Sequence, residues 1–209
     1  CRHERPEKLF VAFTEVHLLA DDYFAGHLEA SLGTHVFGVL GSGSSLSLAE
    51  SATQKGLTYV EASSEASAAI MAGTQGLLTG EPGLSASIKG PGLSNAVAGL
   101  ALSYLERWPL IHFVEAFSRS TSPLRAHKRL NHRSLASGVC KAIGQFVTEG
   151  PTLSEALKLS KSEIPGPVVA ELTQETRGWY TRFEHRLPKL ASYPQILTRL
   201  DSCKRPILI

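Results

Sequence analysis

Apolar residues follow two alternating periods along this chain. From Leu18 they recur at helical spacing up to Gly33, and residues 35–40 then form a short apolar run typical of a buried strand. The same alternation predicts helices over 45–55, 64–78, 94–105 and 152–159, and strands over 58–60, 84–88, 110–114, 145–147 and 168–172. Strands that alternate with helices predict an α/β fold, a doubly wound, mainly parallel sheet with helices on both faces. Ligands bind such sheets at the carboxyl ends of the strands.

The alternation predicts one main domain over residues 17–173. Residues 1–16 are a charged N-terminal tail that lacks the apolar core of a signal peptide, and 174–191, rich in Arg, Glu, His and Pro, are expected to form a surface linker. Residues 192–209 resume with helical spacing and a final apolar run that has no partner strand left. We therefore expect a truncated central α/β domain to start there. Residue 1 is Cys rather than Met, which also indicates a fragment of a longer protein.

Composition narrows the class of function. The 209 residues are 43% hydrophobic and 19% charged, with a net charge of +2. No apolar run reaches the length of a membrane span, and the low net charge gives no general attraction to nucleic acid. Three cysteines without a CxxC pair predict free thiols and an intracellular, reducing compartment, either cytoplasm or organelle. A small-molecule ligand is the expected partner.

Gly41-Ser42-Gly43 follows the first predicted strand, and Glu61 ends the second. A dinucleotide-binding domain uses such a loop for pyrophosphate and such an acid for ribose. The third glycine of that motif would fall at Leu46, and the lysine of a phosphate-binding loop is missing. A tight strand-to-helix turn is the ordinary explanation, and a dinucleotide-binding oxidoreductase domain stays a distant alternative.

Two further loops lie at expected strand ends. Glu65 opens a helix within 62–80, where eleven of nineteen residues are Ala, Ser or Gly. Helix capping explains an acid there, but a Glu65 covered by a ligand could also share a proton with a heteroaromatic nitrogen. Gly90-Pro91-Gly92 precedes the next helix and lacks Cβ atoms at two positions, which allows close approach to the backbone.

Taken together these motifs resemble a known family. The matching segments are HVFGVLGSGSS, GLTYVEASSEASAAIMAGTQGLLTGEPG, GPGLSNAVAGLALSYLERWPLI, CKAIGQF and GPVVAELTQE. Their order and spacing resemble the pyrimidine-binding domain of thiamine-diphosphate enzymes, in particular the acetolactate-synthase-like group that includes 2-hydroxyacyl-CoA lyases. The resemblance covers about residues 18–175, and SYPQILTRLDSCKRPILI is similar to the opening of that family's central domain.

The resemblance implies a function for specific residues. Glu65 would hydrogen-bond the aminopyrimidine N1′ of thiamine diphosphate and favour the tautomer that takes the proton from C2. A further set would line the cavity around cofactor and substrate: Leu40, Gly41, Gly90, Pro91, Gly92 and Asn95. The parent enzyme, a lyase or transferase, would make or break C–C bonds next to a carbonyl of a 2-oxo acid or an acyl-CoA.

The resemblance also implies what this chain lacks. The family binds Mg²⁺ and diphosphate through a GDG motif on another domain, and no GDG occurs here. Half an active site is therefore expected, inactive alone, in a homodimeric or homotetrameric parent that uses thiamine diphosphate and Mg²⁺. FAD is possible but has no support in these residues.

Some positions depart from the family pattern. Leu40 stands where Pro is usual, Glu115 where small residues are common, and Lys128 where a glutamine is frequent. These changes favour the alternative of a non-catalytic interaction module. The segment 116–133 holds five Lys/Arg, two His and no acid, and would bind a carboxylate, a phosphate or the phosphates of CoA, or else form a solvated surface loop. His112, in an apolar strand, is expected to be a hydrogen-bonded core residue rather than a catalyst.

Overall fold

The computed structural model describes residues 34–41, 44–117, 121–145 and 153–172. The strands in these ranges are β1 His35–Gly38, β2 Thr58–Glu61, β3 Gly83–Ser87, β4 Leu110–Glu115, β5 Ala142–Gln145 and β6 Pro167–Leu172. The helices are α1 Ser44–Gln54, α2 Glu65–Thr79, α3 Pro91–Leu105, α4 His132–Ala136 and α5 Leu153–Lys161, with a 3₁₀ turn at Pro123–Arg125. Strands and helices therefore alternate as the hydrophobic pattern predicts.

All six strands form a single parallel sheet in the order β2-β1-β3-β4-β6-β5. The chain runs from β1 outward to β2 and then returns to the other side of β1 to form β3. This reversal opens a crevice beyond the carboxyl ends of β1 and β3, which is where open α/β sheets bind ligands. The prediction of a doubly wound parallel sheet is confirmed.

Helices cover both faces of the sheet. Within β4, Ile111 and Phe113 belong to the core cluster that contains residues of α1 and α5, whereas Leu110 and Val114 belong to the cluster that contains residues of α2, α3 and α4. Such alternation is expected, because successive side chains of a strand point to opposite faces. Two buried cores, one on each side, therefore hold the sheet rigid beneath the loops.

Small residues let α2 and α3 pack closely together. A Cβ atom on Gly99 would lie 2.5 Å from the Ala66 carbonyl oxygen and 2.7 Å from the Ala69 Cβ, and one on Gly73 would overlap the Ser103 hydroxyl. Side chains at these glycines would force the helices apart. The run of small residues therefore fixes the first turn of α2, where Glu65 lies, against α3.

Several boundaries differ from those that the sequence predicts. Helix α3 begins at Pro91, three residues before the predicted start, because proline suits a first helical turn, where its missing N–H costs nothing. Strand β5 begins at Ala142, three residues early, and α4 lies between the predicted strands 110–114 and 145–147, where the sequence predicts no helix. No helix among the described residues is both long and apolar enough to cross a bilayer. The predicted first helix, the linker 174–191 and the segment 192–209 fall outside the described residues, and the domain limits stay predictions.

Candidate functional site

Glu65 is the first residue of α2, as the sequence predicts. Ser64 caps this helix, and its Oγ accepts a hydrogen bond from the Ser67 backbone N–H at 3.1 Å. The free N–H groups of a helix N-terminus favour a negative charge, so the half-buried carboxylate is well placed electrostatically. The sequence Ala62-Ser63-Ser64 thus carries the chain from the carboxyl end of β2 into a helix that begins with an acid.

Asn95 joins Glu65 to the loop after β3. Its Nδ2 donates a hydrogen bond to Glu65 Oε2 at 3.1 Å. Asn95 lies in the second turn of α3, whose first turn contains Pro91 and Gly92. Among the described residues, the other carboxylate oxygen, Oε1, has no hydrogen-bond partner. The structure therefore brings together Glu65 and the glycine loop, which the sequence predicted to share one edge of the sheet.

Gly41 and Gly92 both pack against Ile88. A Cβ atom on Gly41 would overlap Ile88 Cγ2, and one on Gly92 would lie 2.9 Å from Ile88 Cγ1. The loop after β1 and the first turn of α3 therefore meet at this side chain. Leu40, next to Gly41, is 42% exposed and adds an apolar side chain at the same edge.

Two further candidates, Glu61 and Lys128, also lie on the side of the sheet that carries the glycine loop. Glu61 ends β2 and is exposed, and residues 42 and 43 of the proposed dinucleotide loop lie outside the described residues. Lys128 is exposed with a positive φ of 67°, and its carbonyl oxygen packs against the Cα of Gly90. Lys128 therefore contacts the glycine loop through its backbone carbonyl group.

The buried His112 is a core residue, as expected. Its Nδ1 and Nε2 share hydrogen bonds with the hydroxyls of Ser85 and Ser87 at 2.8 and 2.9 Å. Burial lowers the pKa of His112 to about 3, with a smaller contribution from the neighbouring His132 imidazole. A neutral imidazole whose two nitrogens are both occupied by core hydroxyls has no free atom for a ligand.

A second polar cluster lies beside the glycine loop. Lys89 Nζ donates to Glu115 Oε1 at 2.5 Å, and the same ammonium lies 4.7 Å from the centroid of the Phe117 ring. Arg129 lies over the same ring, 5.3 Å from its centroid. Cations at this distance are attracted to an aromatic face. Glu115, noted as a departure from the family pattern, is therefore a buried partner of Lys89.

This cluster borders a cleft of about 630 Å³ near the carboxyl ends of β4 and β6 and alongside β5. Four cationic residues line it: Lys89, Arg129, Arg133 and Lys141. Of the described lining residues only Glu171 is acidic, and His132 Nδ1 lies 2.8 Å from its Oε1. The described part of the cleft thus carries an excess of positive charge. Part of the basic segment 116–133 forms its wall.

Three of these residues were missed from the sequence as members of the site. Glu171 lies in a segment that matches the family and His132 in the basic segment 116–133, but neither residue was singled out, and Lys89 belongs to no motif. One signal was present, because Glu171 lies within the apolar run PVVAEL, and a charge in a buried strand requires a partner. The identity of that partner, His132, lies 39 positions away and follows only from the fold.

The Glu65 edge has the chemistry that a heteroaromatic ligand requires. One carboxylate oxygen is held by Asn95, the other is without a described partner, and Leu40 offers an apolar contact. A nitrogen of an aromatic ring can share a proton with such a half-buried carboxyl group. Within the described residues no group of His, Cys, Asp and Glu could hold a metal ion.

Comparison with known proteins identifies a protein family that matches this chain. The family described as "Thiamine pyrophosphate enzyme, N-terminal TPP binding domain" matches residues 19–135, more than half of the chain. This range includes β1 to β4, Glu65, the glycine loop and Asn95. The matched range therefore contains the Glu65 edge described above.

The chain is also similar to individual enzymes. The chain is 37% identical to a 2-hydroxyacyl-CoA lyase of Arabidopsis thaliana over 78 residues, which are 37% of the chain and 14% of the relative. It is 27% identical to a catabolic acetolactate synthase of Raoultella terrigena over 74% of the chain and 28% of the relative. It is 25% identical to an oxalyl-CoA decarboxylase of Escherichia coli over 78% of the chain and 32% of the relative. The chain spans about a third or less of the length of these curated relatives.

Proposed function

The chain belongs to the acetolactate-synthase-like thiamine pyrophosphate enzymes through its N-terminal cofactor-binding domain, and from this premise we propose that it supplies the pyrimidine half of an active site. The parent protein makes or breaks a C–C bond next to a carbonyl. Glu65 is the catalytic residue of this half. The residues that line the cofactor are Leu40, Gly41, Gly90, Pro91, Gly92 and Asn95.

The contact between Asn95 and Glu65 carries this proposal. It places a half-buried carboxylate beside a glycine loop at the crevice beyond β1 and β3. The Glu65 Oε1 atom, which has no partner among the described residues, is the atom that would exchange a proton with the ring nitrogen of the cofactor. Asn95 orients the carboxylate through Oε2.

Bound thiamine diphosphate would supply an electron sink for carbanions formed at the substrate carbonyl. The chain's own contribution is to hold and exchange a proton at Glu65 and to cover the ring with Leu40 and Gly41. The Mg²⁺ ion and the diphosphate would be held by a domain beyond this chain, as the resemblance implies. No residue in the described part of the chain argues for dependence on FAD.

The substitution Glu65→Gln in the longer enzyme tests the proposal. It keeps a hydrogen-bonding group of similar size but cannot exchange the proton, so the protein should fold while ionisation of thiamine C2 slows. General acid–base help is worth on the order of 10²–10⁴ in rate. The measurement is C2 proton exchange by NMR.

Glu61→Gln is the matched control for this experiment. Glu61 is an exposed acid at the same edge of the sheet, and its substitution should leave C2 exchange unchanged. Unchanged exchange in Glu65→Gln would remove Glu65 from the mechanism. Absence of exchange in the unsubstituted enzyme would favour the alternative of a non-catalytic interaction module.

The 209-residue chain alone should bind thiamine diphosphate weakly or not at all and show no turnover. It contains no GDG motif, and its described residues offer no metal site for the diphosphate end. Calorimetric titration of cofactor and Mg²⁺ into the chain measures this. Tight, metal-dependent binding would contradict the idea of half a site.

We propose an acyl-CoA rather than a plain 2-oxo acid as substrate. Two of the relatives above are named for CoA thioesters, and the cationic cleft suits the phosphates of CoA. Arg133→Ala should then raise KM for an acyl-CoA severalfold with little change in kcat. Arg125→Ala, in the exposed 3₁₀ turn, is the control. An unchanged KM in Arg133→Ala would favour the 2-oxo acid.

We propose that the parent enzyme is at least a dimer. Helix α2 combines its small-residue face with exposed apolar side chains, among them Met71 at 40%, Leu77 at 54% and Leu78 at 78%. An exposed apolar surface of this kind suits an interface between subunits. Sedimentation of the parent as a strict monomer that retains turnover would contradict the proposal.

A further inference from the structure

Two consecutive buried hydrogen bonds link β6 to the start of α3 through one histidine side chain. His132, the first residue of α4, and Glu171, near the end of β6, are each only 6% exposed. Glu171 Oε1 lies 2.8 Å from His132 Nδ1, and the Gly90 backbone N–H donates to His132 Nε2 at 3.0 Å. The imidazole therefore stands between a carboxylate and the glycine loop.

The donor at Gly90 fixes the tautomer of His132. A backbone N–H can only donate, so Nε2 must present its lone pair and Nδ1 must carry the proton. The Nδ1–H group then donates to the Glu171 carboxylate. A carboxylate behind an imidazole sets the orientation of the ring and the basicity of its far nitrogen. Both hydrogen bonds, Gly90 to His132 and His132 to Glu171, form together only when Nε2 of His132 carries no proton.

Gly90 is held from two sides by the segment that contains His132. Its φ of 64° lies in the left-handed region, and a Cβ atom there would overlap the Lys128 carbonyl oxygen. Gly90 is also the N-cap residue of α3, and its carbonyl oxygen accepts a hydrogen bond from the Ser94 backbone N–H at 3.0 Å. The position of Gly90 therefore determines where the first turn of α3 lies.

We propose that His132, oriented by Glu171, is a positioning residue for the cofactor site. It holds Gly90 and thereby keeps the first two turns of α3, with Asn95, in place against Glu65. This inference rests on the proposed function, because that function gives the contact between Asn95 and Glu65 its importance. His132 itself acts on the cofactor only through Gly90 and α3.

NMR on the ¹⁵N-labelled 22.5 kDa chain tests the arrangement without any cofactor. An N–H···N hydrogen bond transmits a scalar coupling between its two nitrogens, so we expect coupling between Gly90 N and His132 Nε2. In His132→Asn the shorter side chain still donates to Glu171 but does not reach Gly90. The coupling partner is then lost, and the side-chain amide resonances of Asn95 should shift.

Rescue by a longer amide separates positioning from simple packing. In His132→Gln the introduced side-chain oxygen lies near the place of Nε2 and can accept from Gly90, so the Asn95 resonances should return towards their original positions. Ser134→Ala, an exposed change in the same helix, should leave them unmoved. The absence of Gly90–His132 coupling in the unsubstituted chain would overturn the proposal, as would equal Asn95 shifts in the asparagine and glutamine variants.

Cofactor titration of the longer enzyme then separates this inference from the proposed function. His132→Asn should weaken thiamine diphosphate binding about tenfold, the loss expected for one hydrogen bond, whereas His132→Gln and Ser134→Ala should not. Failure of the unsubstituted enzyme to bind the cofactor would contradict the proposed function, and with it the cofactor role of His132. Normal binding by the unsubstituted enzyme with equal affinity in His132→Asn would overturn the positioning role alone.

Discussion

Asn95 donates to Glu65 across 3.1 Å and joins the second turn of α3 to the first turn of α2, although the two residues are thirty positions apart in the chain. The two residues follow different strands, β2 and β3, which are separated in the sheet by β1. The contact between these two residues therefore depends on the strand order, in which β2 and β3 lie on opposite sides of β1. An amide that orients one oxygen of a carboxylate leaves the other available for chemistry.

Asn95→Ala should slow C2 proton exchange in the longer enzyme by about threefold to tenfold, since one orienting hydrogen bond is lost. The effect should be smaller than that of Glu65→Gln, because the exchanging group itself remains. The free energy of unfolding should change by no more than about 0.5 kcal/mol, as Asn95 is exposed. Ser94→Ala is the neighbouring control. An effect as large as that of Glu65→Gln would contradict a merely orienting role for Asn95, because the carboxyl group that exchanges the proton is still present in this variant.

Gly99→Ala should destabilise the chain by about 1–3 kcal/mol, because the new methyl group would lie 2.5 Å from the Ala66 carbonyl oxygen. Helix propensity alone favours alanine over glycine by up to about 1 kcal/mol, so the sign of the change shows which effect dominates. Gly138→Ala, where nothing lies within 4 Å of the new Cβ, should be close to neutral. Urea unfolding of both variants gives the comparison, and equal stabilities would contradict the close packing of α2 on α3.

The sequence predicts the part of the site that depends on local patterns. The capped start of α2 and the glycine loop before α3 can be predicted because each is formed by adjacent residues. Each also lies between a predicted strand and a predicted helix. The roles expected of Glu65 and Asn95 come from the family resemblance of the segments that contain these elements. The parallel sheet follows from the alternation of periods, and the structure confirms it.

The rest depends on contacts between distant positions. Glu115 and Lys89 are 26 residues apart, and Glu171 and His132 are 39 apart. A buried acid such as Glu171 indicates that some partner exists, but a single sequence does not say which of eight histidines or 21 Lys and Arg residues it is. The short helix α4 escaped prediction for a related reason, since five residues cannot display a helical period.

Cys140 should react slowly with alkylating reagents although its residue borders the cleft. Its buried Sγ donates to the Ala136 carbonyl oxygen at 3.0 Å, and burial raises the pKa of the thiol to about 11. At pH 8 the reactive thiolate fraction is then roughly a hundredfold below that of an ordinary cysteine. Iodoacetamide labelling in buffer and in urea, followed by mass spectrometry of the Cys140 peptide, measures the ratio. Equal rates in the two conditions would show that the thiol is accessible in the native chain.

His112 should make the stability of the chain depend on pH below neutrality. Burial lowers its pKa to about 3 in the folded chain, whereas the unfolded chain has the ordinary value of about 6.5. Between these two values the unfolded state binds a proton that the folded state does not. The stabilisation is therefore fully present above about pH 6.5 and is lost as the pH falls towards 3.

The comparison that isolates this effect is between the wild-type chain and His112→Gln, because carboxylates titrate in both. From pH 7.5 to pH 5.5 the wild type should lose about 1.4 kcal/mol more of its free energy of unfolding than the variant, as expected for one histidine protonated only when unfolded. The variant will be less stable at pH 7.5, since the hydroxyls of Ser85 and Ser87 lose their shared partner, but only the difference in pH dependence bears on the argument. Urea unfolding at the two pH values measures it. If both proteins lost the same stability over this range, His112 would be free to take up a proton in the folded state, and its interpretation as a neutral core residue would be wrong.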